Sequence, residues 1–207
     1  MERLLDKYNI VVAPLINPDG YEYSRIRNRF WRKNRTPNKS GHYGTDLNRN
    51  WGAEWGVIGT STDPASDIYC GTSAESEPEV RNMAKYVLAL PDRVAGLDVH
   101  SYGQKILRNY GYTRADTKDE ERVRPIGEHM AALASKKHHK AYASEKSAAL
   151  YPTGGGLDDW FYVKAGMLGF TIELRDDGTY GFLLPAAQIR QTGDELVEVV
   201  KALLLRL

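Results

Sequence analysis

Two polar side chains sit where apolar strands are expected to end. His100 closes the run Val94-Ala95-Gly96-Leu97-Asp98-Val99 and is followed at once by Ser101-Tyr102-Gly103. Glu173 lies inside Phe170-Thr171-Ile172-Glu173-Leu174, an apolar strand pattern. A carboxylate there is expensive to bury without a partner or a task. Taken singly, each has a plain structural reading: a hydrogen-bonded core histidine, and a glutamate paired with Arg175 or another arginine. Taken together, an imidazole and a carboxylate at strand ends of an α/β sheet occupy the place where such folds build active sites.

Three further segments carry polar chemistry. Residues 24–35 (SRIRNRFWRKNR) hold six cations with Phe30 and Trp31 among them. That pattern suits a solvated loop, a base-stacking stripe, or arginines that bind a carboxylate and a developing oxyanion, which Arg does better than Lys. Asn48-Arg49-Asn50-Trp51 adds two amides and a guanidinium suited to gripping a free carboxylate. Residues 151–160 (YPTGGGLDDW) join three glycines to two acids. No Lys-Ser/Thr or G-x-G-x-x-G frame follows a strand, so a phosphate cradle is excluded. A flexible loop with Asp159 capping the next helix is the structural expectation; a mobile lid carrying the Tyr151 phenol is the functional one.

The elements that must position these groups follow from periodicity. Ile10–Ile16 (IVVAPLI) reads as a buried strand ending in an Asn17-Pro18-Asp19-Gly20 turn. Residues 24–70 read as mostly irregular, and a connection that long is usually functional. Ser76–Leu90 has Val80, Met83, Ala84 and Val87 at helical spacing behind three glutamates. Arg93–His100, Lys105–Asn109 and Leu168–Leu174 read as strands. Thr117 to about His138 reads as a helix with a Thr117/Glu120 capping box and a break or kink at Pro125. Gln188–Leu207 places Ile189, Leu196, Val199, Val200, Leu203 and Leu204 on one helical face. Strands alternating with helices predict one α/β domain over residues 1–207, with a mixed, mostly parallel sheet flanked by helices.

Composition narrows the function classes. The 207 residues are 42% hydrophobic and 27% charged, with 28 basic and 27 acidic side chains and a net charge of +1. No global field favours nucleic acid or an anionic membrane, and no run of eighteen apolar residues predicts a membrane span. The N-terminal stretch lacks the apolar core of a secretion signal. The single cysteine, Cys70, excludes an internal disulfide and a multi-cysteine metal site.

Six motifs then occur in one order: Asn17-Pro18-Asp19-Gly20; Asn28-Arg29-Phe30-Trp31-Arg32-Lys33; Asp46-Leu47-Asn48-Arg49-Asn50-Trp51; His100-Ser101-Tyr102; Tyr151 through Trp160; and Glu173-Leu174-Arg175-Asp176 with Tyr180-Gly181-Phe182-Leu183-Leu184-Pro185. From about residue 9 to the end, the chain resembles the carboxypeptidase A/B branch of the zinc metallocarboxypeptidases. The resemblance implies an eight-stranded mixed sheet, one Zn2+ and a peptide substrate held by its C-terminus. It implies that His100 is a zinc ligand, Glu173 the general base and Arg32 the group that polarises the scissile carbonyl. Asn48 and Arg49 would bind the terminal carboxylate, Tyr151 would close over it, and Tyr102 would line a neighbouring subsite. Such a zinc lowers the pKa of bound water to about 7, and a carboxylate can shuttle the proton to the leaving amine. Asp158 falls at the position that floors the pocket for the departing side chain, which implies a preference for C-terminal Lys or Arg, as in carboxypeptidase B. Leu157 replaces the small residue usual before that acid.

One departure is large. The family's first two zinc ligands come from a His-x-x-Glu motif upstream of the Asn-Pro-Asp-Gly turn, and no His-x-x-Glu exists in this sequence. Two of the usual three protein ligands are thus missing, Asp46 lacks the histidine it would orient, and Asp98 is the candidate to stand in. The expectation is an N-terminally truncated catalytic domain, marginally stable and with exposed sheet surface. The retained site residues favour that over a short product unable to hold zinc, which would bind peptide C-termini without cutting them. Kinship implies a secreted monomer that engages neither nucleic acid nor membrane.

Overall fold

The computed structural model describes residues 2–207. After a short helix α1 (Glu2–Leu5), the Ile10–Ile16 run is not the buried strand its pattern predicts. It is irregular and exposed, Val12 by 73%. A strand apolar on both faces needs neighbours on both sides, and among the described residues none pairs with this run. Nor is Asn17-Pro18-Asp19-Gly20 a simple turn. It starts helix α2 (Pro18–Ile26), with the Asn17 side chain accepting from the Gly20 N–H at 3.0 Å and proline at the first position.

From residue 27 to residue 70 the chain is irregular apart from a 3-10 turn, Leu47–Arg49. Helix α3 (Pro78–Ala89) buries Val80, Ala84 and Val87 as its spacing predicts. Next come β1 (Ala95–Ser101), β2 (Lys105–Arg108), α4 (Glu120–His138), β3 (Ala143–Lys146), α5 (Ser147–Leu150), α6 (Leu157–Val163), β4 (Leu168–Leu174) and α7 (Ile189–Leu204). Four strands form one mixed sheet in the order β1-β4-β2-β3. β1 runs parallel to β4 and β2 parallel to β3, while β2 and β4 are antiparallel. The outer edge of β1 has no partner among the described residues, and Val99 on it is 46% exposed. Among the described residues, no helix is long and apolar enough to cross a membrane.

Helix α4 departs from its pattern at two points. It continues through Pro125. The Thr117/Glu120 capping box does not form: the Thr117 hydroxyl has no hydrogen-bond partner, and the Glu120 carboxylate instead pairs with the buried Arg108 guanidinium. A charge-assisted pair between buried groups outweighs a cap. α4 and α7 pack on the sheet around Ile106, Met130, Phe170, Ile172, Val199 and Leu203, all of them buried, whereas Ile189 at the start of α7 is exposed. A second cluster, with Trp51, Val80, Leu157, Trp160 and Phe161, joins α3 and α6 to the irregular segment.

Beneath the sheet's carboxyl end, Arg175 and the fully buried Glu195 form an ion pair, with the Arg175 Nε–H donating to Glu195 Oε2 at 2.9 Å. The Tyr142 hydroxyl donates to the same oxygen at 3.0 Å, and Gln188 and Gln191 accept from the guanidinium. This cluster ties the exit of β4 to α7. Removing one charge strands the other in a low dielectric. Glu195→Gln is therefore expected to lower the unfolding free energy by about 3–5 kcal/mol in urea denaturation, and a loss under about 1 kcal/mol would contradict the pairing.

Candidate active site

Strand register brings the two leading residues together. His100 lies directly opposite Glu173 in the parallel β1/β4 pair, near the carboxyl ends of both strands. They share a cavity of about 300 Å³ that Arg32, Asn48, Arg49, Tyr102, Tyr151 and Asp158 also line. All eight side chains singled out in the sequence therefore meet in one cleft.

Alternation along β1 puts Asp98 and His100 on one face. Asp98 Oδ2 lies 2.8 Å from His100 Nε2 and accepts from Asn48 Nδ2 at 2.9 Å. Asn48 Nδ2 is also 2.8 Å from Nε2. One nitrogen cannot both donate to Asp98 and accept from Asn48, so two donors converge on the Asp98 oxygen. Burial opposes the charged imidazole, but Asp98, helped by Glu173, outweighs it and pushes His100 up to about 9. The other end of the Asn48 amide accepts from the Leu157 N–H at 2.9 Å. Both ends of an amide expected to grip a ligand are thus engaged within the fold.

The arginines arrive from the irregular segment. Arg32 donates from Nε to Asp46 Oδ2 at 2.8 Å and keeps its guanidinium at the cleft, 36% exposed. Asp46, expected to have nothing to orient, thus orients Arg32; it also caps the 3-10 turn through the Asn48 N–H at 3.1 Å. Arg49 is buried, donating to Gly59 O at 2.9 Å and Asn48 O at 2.7 Å. The half-exposed Tyr151 ring lies 5.7 Å above it. Tyr102 packs edge-on against Phe182 at 4.9 Å. Elsewhere in the basic segment, Lys33 donates to Pro64 O at 2.7 Å, and Arg35 stacks on Tyr23, Trp31 and Tyr43.

The glycine stretch is packed rather than flexible. Gly154, Gly155 and Gly156 are buried, and Gly155 exchanges backbone hydrogen bonds with Trp51 and Ala53 at 3.1 and 2.8 Å. Gly155 has φ +73°, and a Cβ there would fall 2.3 Å from the Arg49 carbonyl oxygen. Only glycine lets the two segments approach so closely. α6 then presents two buried acids. Asp159 does not cap the helix: it accepts from Asn109 Nδ2 (2.9 Å), Gly111 N (2.9 Å) and Tyr112 N (3.3 Å), fixing residues 109–112. Asp158 lines the cleft, with Oδ1 accepting from the Asp159 N–H at 2.9 Å and Oδ2 from the Ser147 hydroxyl at 3.0 Å. Burial, reinforced by Asp98, pushes the Asp158 carboxyl up. Burial does the same to Glu173, against the pull of His100 and Arg32, and Glu173 Oε2 has no hydrogen-bond partner. Ser147, which follows β3 with no motif around it, is a site residue that the sequence pattern misses.

A catalytic zinc needs about three protein donors and an open position. Among the described residues, no group of three or more His, Cys, Asp or Glu converges to hold an ion, and His100 Nε2 is committed to Asp98. The residues present do not fit a zinc.

The surrounding fold is nonetheless a known one. The sequence matches the zinc carboxypeptidase family (Peptidase_M14) over residues 1–199. It is 40% identical over 207 residues to carboxypeptidase O of Bos taurus, covering 99% of this chain and 55% of that protein. It is 41% identical over 203 residues to carboxypeptidase B2 of Homo sapiens, covering 96% of this chain and 47% of that protein. The chain spans about half the length of the curated relatives it matches. A crystal structure of thrombin-activatable fibrinolysis inhibitor superposes with a TM-score of 0.94 at 37% identity, over 99% of this chain and 52% of that one. With six motifs in order and a shared fold, the chain belongs to the zinc carboxypeptidase family.

Proposed function

We propose that the cleft receives the C-terminal residue of a peptide or protein and selects Lys or Arg, as the substrate-recognition part of a metallocarboxypeptidase. The observation that carries this is Asp158: a buried acid on the cleft whose bonded partners are a hydroxyl and a backbone N–H, neither of them charged. An ionised carboxylate so placed costs several kcal/mol, and a substrate cation offsets that cost, whereas an apolar side chain does not. The guanidinium groups of Arg32 and Arg49 supply donors for the terminal carboxylate, and the exposed Tyr151 ring is free to move over it. Glu173, raised by burial, stands where a proton would pass to a leaving amine, with Arg32 beside it to steady an oxyanion. Kinship with secreted carboxypeptidases supports a site of action outside the cell, and we take the chain to act as a monomer.

Binding without turnover is the second reading, favoured by the absence of a converging set of metal donors among the described residues. Calorimetry with peptides ending in Arg, Phe or an Arg amide tests recognition. The free Arg terminus is expected to bind best, and Asp158→Asn to weaken it by about 10- to 100-fold while leaving the Phe peptide unchanged. Equal affinity for Arg and Phe would refute the assignment. A chelator is expected to leave both binding and the melting temperature of this chain unchanged. Release of free arginine, abolished by chelator and by Glu173→Gln, would instead establish catalysis and a metal ligand beyond those described.

A further inference from the structure

We propose that Ser147 is a specificity-determining residue of the cleft: its hydroxyl fixes the Asp158 carboxylate and offers an acceptor to the substrate's cationic side chain, favouring a guanidinium over an ammonium. The inference rests on the reading of Asp158 as the acid that receives that side chain. Ser147 begins α5 directly after β3, and its hydroxyl is 3.0 Å from Asp158 Oδ2. A serine hydroxyl has one hydrogen and two lone pairs. A carboxylate only accepts, so the hydrogen goes to Asp158, and the lone pairs remain on a side chain that lines the cavity.

The serine is held from two directions. The next backbone N–H, that of Ala148, donates to Tyr110 O at 3.1 Å. On the other side the Lys146 ammonium is bonded to Asp116 and to Arg114 O. The cleft stays open beside it because residue 111 is glycine: a Cβ there would stand 3.7 Å from Ser147 Cβ and 3.2 Å from Asp159 Oδ2. One oxygen of Asp158 already takes the Asp159 N–H and the other the serine O–H. A cation entering the pocket therefore meets a carboxylate of fixed orientation with a hydroxyl acceptor next to it. The planar guanidinium presents five N–H groups in a rigid fork that can engage both acceptors together, whereas an ammonium is a compact, strongly hydrated point charge.

The test measures binding of peptides identical except for a final Arg, Lys or Phe to the wild type, Ser147→Ala, Ser147→Thr and Asp158→Asn. Ser147→Ala is expected to weaken the Arg peptide by about 2- to 10-fold, the Lys peptide less and the Phe peptide not at all. Ser147→Thr, which keeps the hydroxyl, is expected to restore the Arg preference. Equal loss for all three peptides would show a merely structural serine and overturn the proposal. So would an unchanged Arg affinity in Ser147→Ala while the wild type still prefers Arg to Phe; in that case the Asp158 reading survives. A wild type that does not distinguish Arg from Phe would remove the Asp158 reading and this one with it.

Discussion

The cleft is governed by the cost of keeping negative charge out of water. Asp46, Asp98, Asp158 and Glu173 all crowd one end of the sheet. In a low dielectric each ionised carboxylate needs a cation or several donors. Asp46 is matched by Arg32, and Asp98 by the raised His100 imidazole and the Asn48 amide. Glu173 faces His100 and Arg32 without bonding through Oε2. Asp158 has neutral donors alone. That asymmetry makes Asp158 a candidate receptor for charge, while Asp46 and Asp98 are matched within the fold.

The same balance accounts for what the cleft does with its histidine. In a zinc site an imidazole must offer a neutral ring nitrogen. Here an aspartate two residues earlier on the same strand face claims Nε2, and the asparagine beside it leads from there to the Leu157 N–H at the start of α6. Strand β1, the 3-10 turn and α6 are thus tied through one amide. The buried glycines make the tie possible by letting the 154–156 segment lie against the Arg49 backbone.

Much of this was legible in the sequence. Leu168–Leu174 is a strand to the residue, and the polar intrusions at His100 and Glu173 do mark a shared cavity. Periodicity reports that a segment suits burial; it does not report whether neighbours exist to bury it, so the Ile10–Ile16 pattern ends in exposed coil. Asn-Pro-Asp-Gly uses residues that turns and helix starts share, and the side-chain bond from Asn17 decided between them. Glu120 was available to cap its helix until a distant arginine took it, and that competition is tertiary. Three glycines in a row suggest mobility, whereas Gly154 and Gly155 here serve close approach of backbones. Ser147 carries no local signal because its partner lies eleven residues away on another helix.

The Asp158 acid has no positive hydrogen-bond partner and holds its proton more tightly than an exposed aspartate. Calorimetry of an Arg-terminated peptide near pH 6, repeated in buffers of different ionisation enthalpy, reads the protons exchanged on binding. A cation arriving beside a carboxyl raised by burial stabilises its ionised form, so net proton release is expected from the wild type and none from Asp158→Asn. Binding with no proton exchange in the wild type, or the same release in Asp158→Asn, would mean that Asp158 neither holds that proton nor receives the cation.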